Sequence, residues 1–441
     1  MYKIGMISLG CPKNQVDAEI MLAKLEGAGF KIVNDTSGAD IVIINTCGFI
    51  EDAKREAIEC ILETVQQKED GEIKKIIVTG CLAQRYDRKV IEEIPEIDSI
   101  IGIGANDDIV KVCRETMDGG SAAYFPPKEN LPISGRRLLT TPKYWAYLKI
   151  ADGCSNNCSY CAIPKIRGRF RSREMQDITG EARTLAASGV KEVIVVAQDT
   201  TRYGEDIYGK LMLPALLDKL CEIDGIEWIR LLYCYPERMT DELIKTIARQ
   251  DKVINYIDLP LQHADGDILA AMNRSGSKQS LAKLIETIRK MIPGVVIRTT
   301  FITGFPGETD EKFEILAEFI KEMRFERLGC FAYSAEEETP AASFDDQVDD
   351  EKKKYREELI MQEQYGIFML NNKINVGKIL RVLTEGYDAY SDSYYGRSYM
   401  DAPEIDGRVV FTSDKIIEPG EFVDVEVMDT IDYDLLGRSV V

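Results

Sequence analysis

The first quarter of the chain alternates between short apolar runs and longer stretches in which apolar residues recur with the period of a helix. The runs have the continuous hydrophobicity of strands buried on both faces. They are KIGMISLG (3–10), DIVIINT (40–46) and KKIIVTG (74–80). The helical stretches between them cover residues 14–30 and 50–67. This alternation predicts an α/β domain with a parallel sheet over residues 1–118.

A second alternation of the same kind covers residues 144–334, after a Gly-, Pro- and Ser-rich stretch (119–143) that we interpret as a linker. Helical stretches such as 241–250 and 311–324 separate the predicted strands. Six strand–helix units predict most of a TIM-like barrel that extends to residue 370, with its active site at the C-terminal ends of the strands. The six strands are YWAYLKIA (144–151), KEVIVVAQ (191–198), WIRLLYC (228–234), YIDLPLQ (256–262), VVIRTTFITG (295–304) and RLGCFAYS (327–334).

Beyond the barrel the pattern changes again. A charged helix is predicted over 349–373, and residues 371–441 read as short strands separated by turns. We expect a small antiparallel β-barrel, a fold that often binds nucleic acid or peptides. This tail carries 7 basic and 14 acidic side chains.

Composition narrows the class of protein. The 441 residues are 45% hydrophobic and 29% charged, which is typical of globular proteins, and the net charge of −20 disfavours nucleic acid and favours basic partners. The N-terminus does not look like a signal peptide and no apolar run is long enough to span a bilayer, so we expect a cytoplasmic protein without a membrane partner. In that reducing compartment, 11 cysteines indicate metal binding or chemistry rather than disulfides. The single histidine, His263, leaves little room for His-based triads or Cys/His zinc sites.

The segment DGCSNNCSYCAIP (152–164) contains three closely spaced cysteines, Cys154, Cys158 and Cys161. A structural zinc ion would need four ligands, and no fourth ligand is evident nearby. Three thiolates instead suit a [4Fe–4S] cluster with one iron left free to bind a substrate. The loop also follows the first strand of the predicted barrel, where such folds place their chemistry.

Three further cysteines each follow a predicted strand of the N-terminal domain: Cys11, Cys47 and Cys81. Because the C-terminal ends of parallel strands share one edge of a sheet, we expect these cysteines to converge on a second cluster. Neighbouring glycines would let the backbone approach it closely. The alternative is that they are ordinary buried thiols, which is our interpretation of the five remaining cysteines, Cys60, Cys113, Cys221, Cys234 and Cys330.

The three-cysteine loop resembles the signature of the radical S-adenosylmethionine (SAM) superfamily, including the aromatic Tyr160 before its last cysteine. Together with LGCPKNQVDAE, NTCGFIEDAKREAIE and TGCLAQRY, it is similar to the methylthiotransferases over the whole chain, and the tail looks like their TRAM domain. The resemblance implies two [4Fe–4S] clusters, SAM and an external electron donor. It also implies a reaction in which a 5′-deoxyadenosyl radical activates an acceptor carbon for attachment of a methylthio group.

The family has two main branches, one acting on an aspartate of ribosomal small-subunit protein twelve and one acting on a tRNA adenosine. SLGCPKN, NTCGFI and CAIPKIRGRFRSR resemble the ribosomal-protein branch, which implies modification at the β carbon of that aspartate. The tRNA branch typically has Gln-Met-Asn and Val-Arg where this chain has Pro12-Lys13-Asn14 and Gly48-Phe49. An acidic tail also suits a basic protein better than tRNA phosphates. Modification of tRNA stays as the alternative, and a non-catalytic iron–sulfur sensor or electron carrier would be a different class.

Besides Tyr160, we expect SAM contacts from polar residues at or near the ends of barrel strands, namely Gln198, Asp199, Gln262, Arg298 and Thr303. The turn Ala197-Gln198-Asp199 departs from the Gly-Gly-Glu-like turn of many radical SAM enzymes, and no catalytic residue is assigned. His263 could transfer a proton or orient the acceptor. The basic segment KIRGRFRSR (165–173) could be a solvated loop, a phosphate site or an attractor for a carboxylate.

Overall fold

The computed structural model describes residues 2–440, beginning with a six-stranded parallel sheet. Its strands are β1 (Lys3–Ser8), β2 (Lys31–Val33), β3 (Ile41–Thr46), β4 (Lys75–Gly80), β5 (Ser99–Ile101) and β6 (Ala123–Tyr124), in the order β2-β1-β3-β4-β5-β6. The helices are α1 (Pro12–Gly27), α2 (Glu51–Glu69), α3 (Cys81–Tyr86), α4 (Arg88–Glu93) and α5 (Ile109–Met117). The prediction of a parallel α/β domain is confirmed, with β1, β3 and β4 as its predicted strands. The other three strands have at most three residues each, too few to show a period.

The stretch 119–143 is more than a connection. It supplies β6, which pairs with β5 at the edge of the N-terminal sheet. Further along, Arg137 is buried and binds Glu19 of α1 and Glu181 of the central domain. This segment therefore contacts both the N-terminal and the central domain and links them by a strand pairing and ion pairs.

The central domain is a second six-stranded parallel sheet, in the order β14-β13-β12-β11-β10-β7. These strands are β7 (Trp145–Lys149), β10 (Glu192–Val196), β11 (Trp228–Leu231), β12 (Val253–Asp258), β13 (Val296–Thr303) and β14 (Arg327–Ala332), and a small antiparallel pair is formed by β8 (Ala151–Asp152) and β9 (Arg171–Ser172). Its helices are α6 (Ile163–Arg167), α7 (Met175–Ala187), α8 (Glu205–Tyr208), α9 (Leu213–Cys221), α10 (Asp241–Arg249), α11 (Gly266–Ala271), α12 (Lys278–Met291), α13 (Asp310–Met323) and α14 (Asp350–Lys373).

All six predicted barrel strands are present, but the fourth lies earlier than expected. It was predicted over 256–262 and occupies Val253–Asp258. Pro260 has no backbone N–H and cannot continue the strand ladder. Gln262 then pairs with β13 again through a single isolated bridge to Phe301.

The C-terminal domain is a closed five-stranded barrel, in the order β15-β16-β17-β19-β18. Its strands are β15 (Ile379–Asp388), β16 (Ser393–Arg397), β17 (Val409–Thr412), β18 (Phe422–Ile431) and β19 (Asp434–Ser439). The expected small barrel is confirmed, with one difference: β17 and β19 pair in parallel, while the other pairs are antiparallel. Turn-rich alternation cannot reveal which strands close a barrel.

Hydrophobic packing explains how the three domains fit together. The outer face of the central sheet packs on its helices, while inward residues such as Trp145, Trp228 and Tyr256 form a separate core with the C-terminal barrel. Val16 and Ile20 of α1 join that second core. The partial barrel therefore contacts both other domains. Within residues 2–440, no helix is long and apolar enough to cross a membrane.

Candidate active site

The structure brings Cys11, Cys47 and Cys81 together at the C-terminal edge of the N-terminal sheet. They follow β1, β3 and β4, which are neighbours in that sheet. A Cβ atom placed on Gly10, whose φ is +86°, would lie 2.6 Å from Cβ of Cys47, so only glycine fits there. The expected convergence is confirmed, while the role of these cysteines as ligands stays a prediction.

Local charges favour a thiolate at this triad. Burial opposes ionisation of Cys11, but the positive charges of Lys13 and Arg167 outweigh it, so the pKa of Cys11 is lowered. Burial raises the pKa of Cys81 to about 12, against the influence of the same Arg167. A thiolate is the form of cysteine that binds metal. The surroundings of Cys11 favour this form, whereas a bound metal would have to ionise Cys47 and Cys81.

The second triad lies on the loop that follows β8. The backbone N–H of Cys161 donates to the carbonyl of Cys158 (3.1 Å), and the N–H of Cys154 donates to the carbonyl of Gly168 (3.1 Å). The hydroxyl of Tyr235 lies 3.5 Å from Sγ of Cys158. Burial raises the pKa of Cys154 to about 11, with a smaller contribution from the nearby Cys158. The loop is thus held by backbone hydrogen bonds and has a hydroxyl donor beside one sulfur.

The two triads adjoin each other across the domain boundary. Cys81 forms one buried apolar cluster with Ala162 and Ile166, and Ala162 directly follows Cys161. Within residues 2–440 no three His, Cys, Asp or Glu side chains are close enough to hold a single metal ion. A mononuclear zinc site holds all its cysteines on one ion, whereas an iron–sulfur cluster holds each cysteine on a different iron. Cysteine thiolates are the ligands that iron–sulfur clusters take, so the residue types of both triads fit such a cluster.

Of the residues expected to bind SAM, Gln198 is the best placed. Its amide nitrogen lies 3.4 Å from Oδ1 of Asp152, at the start of the cysteine loop. Its amide oxygen is buried and has no hydrogen-bond partner within residues 2–440. An unsatisfied buried acceptor at a strand end fits the ammonium group of SAM.

Asp199 is buried and fully engaged within the protein. Its Oδ2 accepts from Nδ2 of Asn156 in the cysteine loop (2.8 Å) and lies 3.0 Å from Nη1 of Arg238. Its Oδ1 accepts from the hydroxyl of Thr201 (2.5 Å). These contacts make Asp199 a support for the cysteine loop.

The remaining candidates lie in different surroundings. Tyr160 packs against the hydrophobic cluster that contains Phe305 and Tyr333, and its hydroxyl lies 3.4 Å from Nη1 of Arg274. Gln262 has a φ of +72° and its backbone pairs with β13.

Arg298 binds Asp258 at 2.9 Å and faces Asp406 of the C-terminal barrel at 3.9 Å. Thr303 donates to the carbonyl of Lys353 in α14 (3.3 Å), on the face of β13 that is covered by helices. Asp258, Asp406 and Lys353 are thus the partners of these two residues within the protein, and their role as SAM contacts stays a prediction.

His263 forms a fully buried structural contact. Its Nδ1 accepts from the backbone N–H of Asp265 (2.9 Å), which places the ring proton on Nε2, 3.0 Å from Oε2 of Glu308. Glu308 in turn binds Arg356 of α14 and the N–H of Gly304. The only histidine thus ties the strand ends to α14 and has no free nitrogen for proton transfer.

Two of the five basic side chains of the segment 165–173, Arg167 and Arg173, are buried in ion pairs. Arg167 binds Asp17 of α1 and Asp152, each at 2.9 Å, and Arg173 binds Glu181 at 2.7 Å. Of the three roles left open by the sequence, a solvated loop and a phosphate site do not fit these two arginines.

The sequence analysis did not identify functional residues after β11, the third strand of the barrel. The segment after β11 places Tyr235 beside Cys158 and stacks Tyr233 against Lys13, whose Nζ lies 3.2 Å from the ring centroid. Arg274 covers the other tyrosine, with Cζ 3.8 Å from the ring centroid of Tyr235. The rule that active sites lie at strand ends would have found both tyrosines if it had been applied to every strand.

Comparisons with known proteins agree with this geometry. Residues 3–102 match the uncharacterized protein family UPF0004, residues 148–320 the radical SAM superfamily and residues 376–440 the TRAM domain. The chain is 50% identical over 439 residues to the ribosomal protein uS12 methylthiotransferase RimO of Thermoanaerobacter sp. (strain X514), covering 99% of this chain and 100% of that protein. The chain belongs to the RimO family of methylthiotransferases.

Other relatives in the same family are equally close. The protein of the same name from Caldanaerobacter subterraneus subsp. tengcongensis is 51% identical, covering 99% of this chain and 100% of that protein. The one from Clostridioides difficile (strain 630) is 47% identical, with 99% and 98% covered. Family membership makes the chain a radical SAM methylthiotransferase, as the motifs of the two triads indicated.

Solved structures share the fold at low sequence identity. The radical SAM methyltransferase TsrM from Kitasatospora setae superposes with a TM-score of 0.57 at 14% identity, covering 75% of this chain and 73% of that chain. The cobalamin-dependent radical SAM enzyme OxsB gives a TM-score of 0.51 at 12% identity, covering 83% and 58%. These likenesses concern the fold alone.

Proposed function

We propose that this protein transfers a methylthio group to the β carbon of an aspartate in ribosomal protein uS12, using SAM and two [4Fe–4S] clusters. The observation that supports the proposal is the buried cluster of Cys81 with Ala162 and Ile166, in which Ala162 directly follows Cys161. A reaction that joins a sulfur-bearing cluster to a radical-generating one requires such proximity. Relatives about 50% identical over the full length are ribosomal protein uS12 methylthiotransferases, which supports this acceptor.

The residues divide into two sets. Cys11, Cys47 and Cys81 would hold the N-terminal cluster, and the cysteines of the 154–161 loop would hold the other. When bound, the two clusters and SAM supply the sulfur, the methyl group and the hydrogen-abstracting radical. Gln198 offers its unpaired amide oxygen to SAM, and Asp199 keeps the cysteine loop in place.

The setting of the reaction follows from charge. The net charge of −20 favours association with a basic ribosomal protein and disfavours tRNA. We place the activity in the cytoplasm and assign the electron to an external donor.

The test separates the two cysteine sets. We expect the reconstituted triple variant Cys11→Ala, Cys47→Ala, Cys81→Ala to lose half of its iron and all methylthio transfer to uS12, yet still to form 5′-deoxyadenosine from SAM under reduction. The matched control replaces Cys60 and Cys221, which belong to neither triad, and should keep full iron and transfer. Full iron in the triple variant would contradict a second cluster.

The acceptor is tested in cells. Mass analysis of uS12 and of tRNA from a strain lacking this chain should show loss of the methylthio mark on uS12 only. Loss of a mark on tRNA alone would favour the tRNA alternative, and the absence of 5′-deoxyadenosine with the wild-type protein would favour a non-catalytic iron–sulfur protein.

A further inference from the structure

Lys13 is an exception among the buried cations. Lys13 is 5% exposed, and no carboxylate oxygen of residues 2–440 lies within 4.0 Å of its Nζ. Every other buried lysine or arginine of that range is paired with an aspartate or glutamate at 4.0 Å or less. Burying a charge without a counter-charge costs free energy. The Lys13 ammonium lies beside the Cys11 thiol and the Tyr233 ring but, unlike the other buried cations, has no carboxylate, and this calls for an explanation.

The side chain of Lys13 reaches from one domain to the other. Its backbone lies in the first turn of α1, two residues after Cys11, and its ammonium rests on the ring of Tyr233 at the end of β11. The aromatic face compensates part of the desolvation of the ammonium, but it carries no negative charge to balance that of the lysine. Lys13 therefore lies on the N-terminal side of the boundary that the two cysteine triads share.

The carboxylate on the barrel side of Tyr233 is not available to Lys13. Asp258 accepts from the backbone N–H of Tyr233 through Oδ2 (2.9 Å) and from Nη1 of Arg298 through Oδ1 (2.9 Å). The φ of Tyr233 is +61°, a backbone conformation that non-glycine residues seldom adopt and that these contacts sustain. Asp258 thus fixes the backbone of Tyr233, on whose ring Lys13 lies, and pairs with Arg298 instead of Lys13.

We propose that Lys13 binds the side-chain carboxylate of the acceptor residue and makes the enzyme specific for an acidic acceptor. The inference rests on the proposed function, in which an aspartate must approach the N-terminal triad to receive the methylthio group. An ammonium beside Cys11 would hold that carboxylate next to the triad and leave the adjacent carbon exposed to the barrel side. Lys13 is then a positioning and specificity residue, with no bond of its own to form or break.

The experiment compares acceptors as well as variants, with holoenzyme reconstituted under anaerobic conditions. Lys13→Gln should weaken binding of uS12 by about 10- to 100-fold, which corresponds to the loss of one charge-assisted hydrogen bond. Wild-type enzyme should prefer uS12 to a uS12 variant with asparagine at the acceptor position, and Lys13→Gln should lose that preference. Lys13→Arg, which keeps the charge, should restore part of it.

The control is Lys245→Gln, which removes an exposed lysine of α10 outside both triads and should leave acceptor binding and preference unchanged. Iron content and the spectrum of the reduced clusters are measured for each variant. Loss of iron in Lys13→Gln, or unaltered binding and preference, would overturn the inference, because Lys13 would then serve the cluster or only the fold. Wild-type enzyme that transfers no methylthio group to uS12 would overturn the proposed function instead.

Discussion

Removing the guanidinium of Arg167 should uncouple the two domains that carry the cysteine triads. Arg167 is 1% exposed and binds Asp17 of the N-terminal domain and Asp152 of the central domain, both at 2.9 Å. Lys149 is the only other cation that contacts these two carboxylates among residues 2–440. In Arg167→Met, two buried carboxylates would share one ammonium.

The magnitude follows from this charge count. Breaking a buried ion pair by removing one partner costs about 3–5 kcal/mol, because a charge is left without compensation. If a chain of this length unfolds as one unit, its unfolding entropy of about 0.9 kcal/mol/K converts that cost into a midpoint lower by about 3–5 °C. Unfolding of a smaller unit would give a larger shift. Arg167→Lys should lie between, since it keeps the charge but loses the planar fork that reaches both carboxylates.

The assay is calorimetry of the reconstituted protein under anaerobic conditions, together with its iron content. The matched control is Arg169→Met, which removes an exposed arginine two residues away and should change stability by no more than about 0.5 kcal/mol. If Arg167→Met and Arg169→Met unfold at the same temperature and hold the same iron, the reasoning from the buried ion pairs is refuted.

Three further predictions concern individual contacts. Tyr235→Phe removes the hydroxyl that lies 3.5 Å from Sγ of Cys158. It should lower the reduction potential of the cluster held by the 154–161 loop by on the order of 40 mV, which is equivalent to about 1 kcal/mol of hydrogen bonding. An unchanged potential in an EPR-monitored titration would argue against the contact. Burial alone would raise the pKa of Glu336, but Ser334, Arg85 and Lys54 together lower it below the ordinary glutamate value. The ion pairs of Glu336 therefore stabilise the fold above the ordinary glutamate pKa, and this stabilisation is lost as the pH falls through the lowered pKa. Glu336→Gln should therefore lower the unfolding midpoint near neutral pH and flatten its decline in acid, and an equally steep decline would count against this assignment. His263→Gln should lower stability by about 1–3 kcal/mol without altering the pH profile of methylthio transfer, and a changed profile would show that His263 takes part in proton transfer.

Much of the fold could be predicted because its determinants are local or follow from parallel topology. Continuous apolar runs marked β1, β3 and β4, and the rule that parallel strands end at one edge predicted that Cys11, Cys47 and Cys81 would converge. The spacing within 154–161 required no tertiary information. The short strands β2, β5 and β6 could not be predicted because two or three residues show no period.

The polar part of the site was less predictable, because an arginine looks the same in the sequence whether it is solvated or buried. Nothing local to 165–173 indicates that Arg167 will meet Asp17, which lies in another domain. Thr303 illustrates the same difficulty on a strand: it was chosen for its place near a strand end, but alternation turns its hydroxyl toward α14. Which face a strand residue occupies depends on what covers the sheet.

The ion pairs between the domains have a consequence for how the two triads stay aligned. A buried ion pair adds little stability compared with apolar side chains of the same size, but it is costly to misalign, because a displaced buried charge is left without compensation. The group Asp17, Lys149, Asp152 and Arg167 spans the boundary at which Cys81 meets Ala162. Apolar packing alone would hold the domains together and still let them slide, whereas this charge group penalises displacement in any direction. Charge pairing therefore adds a directional constraint on the relative position of the two triads to the hydrophobic packing that joins the domains.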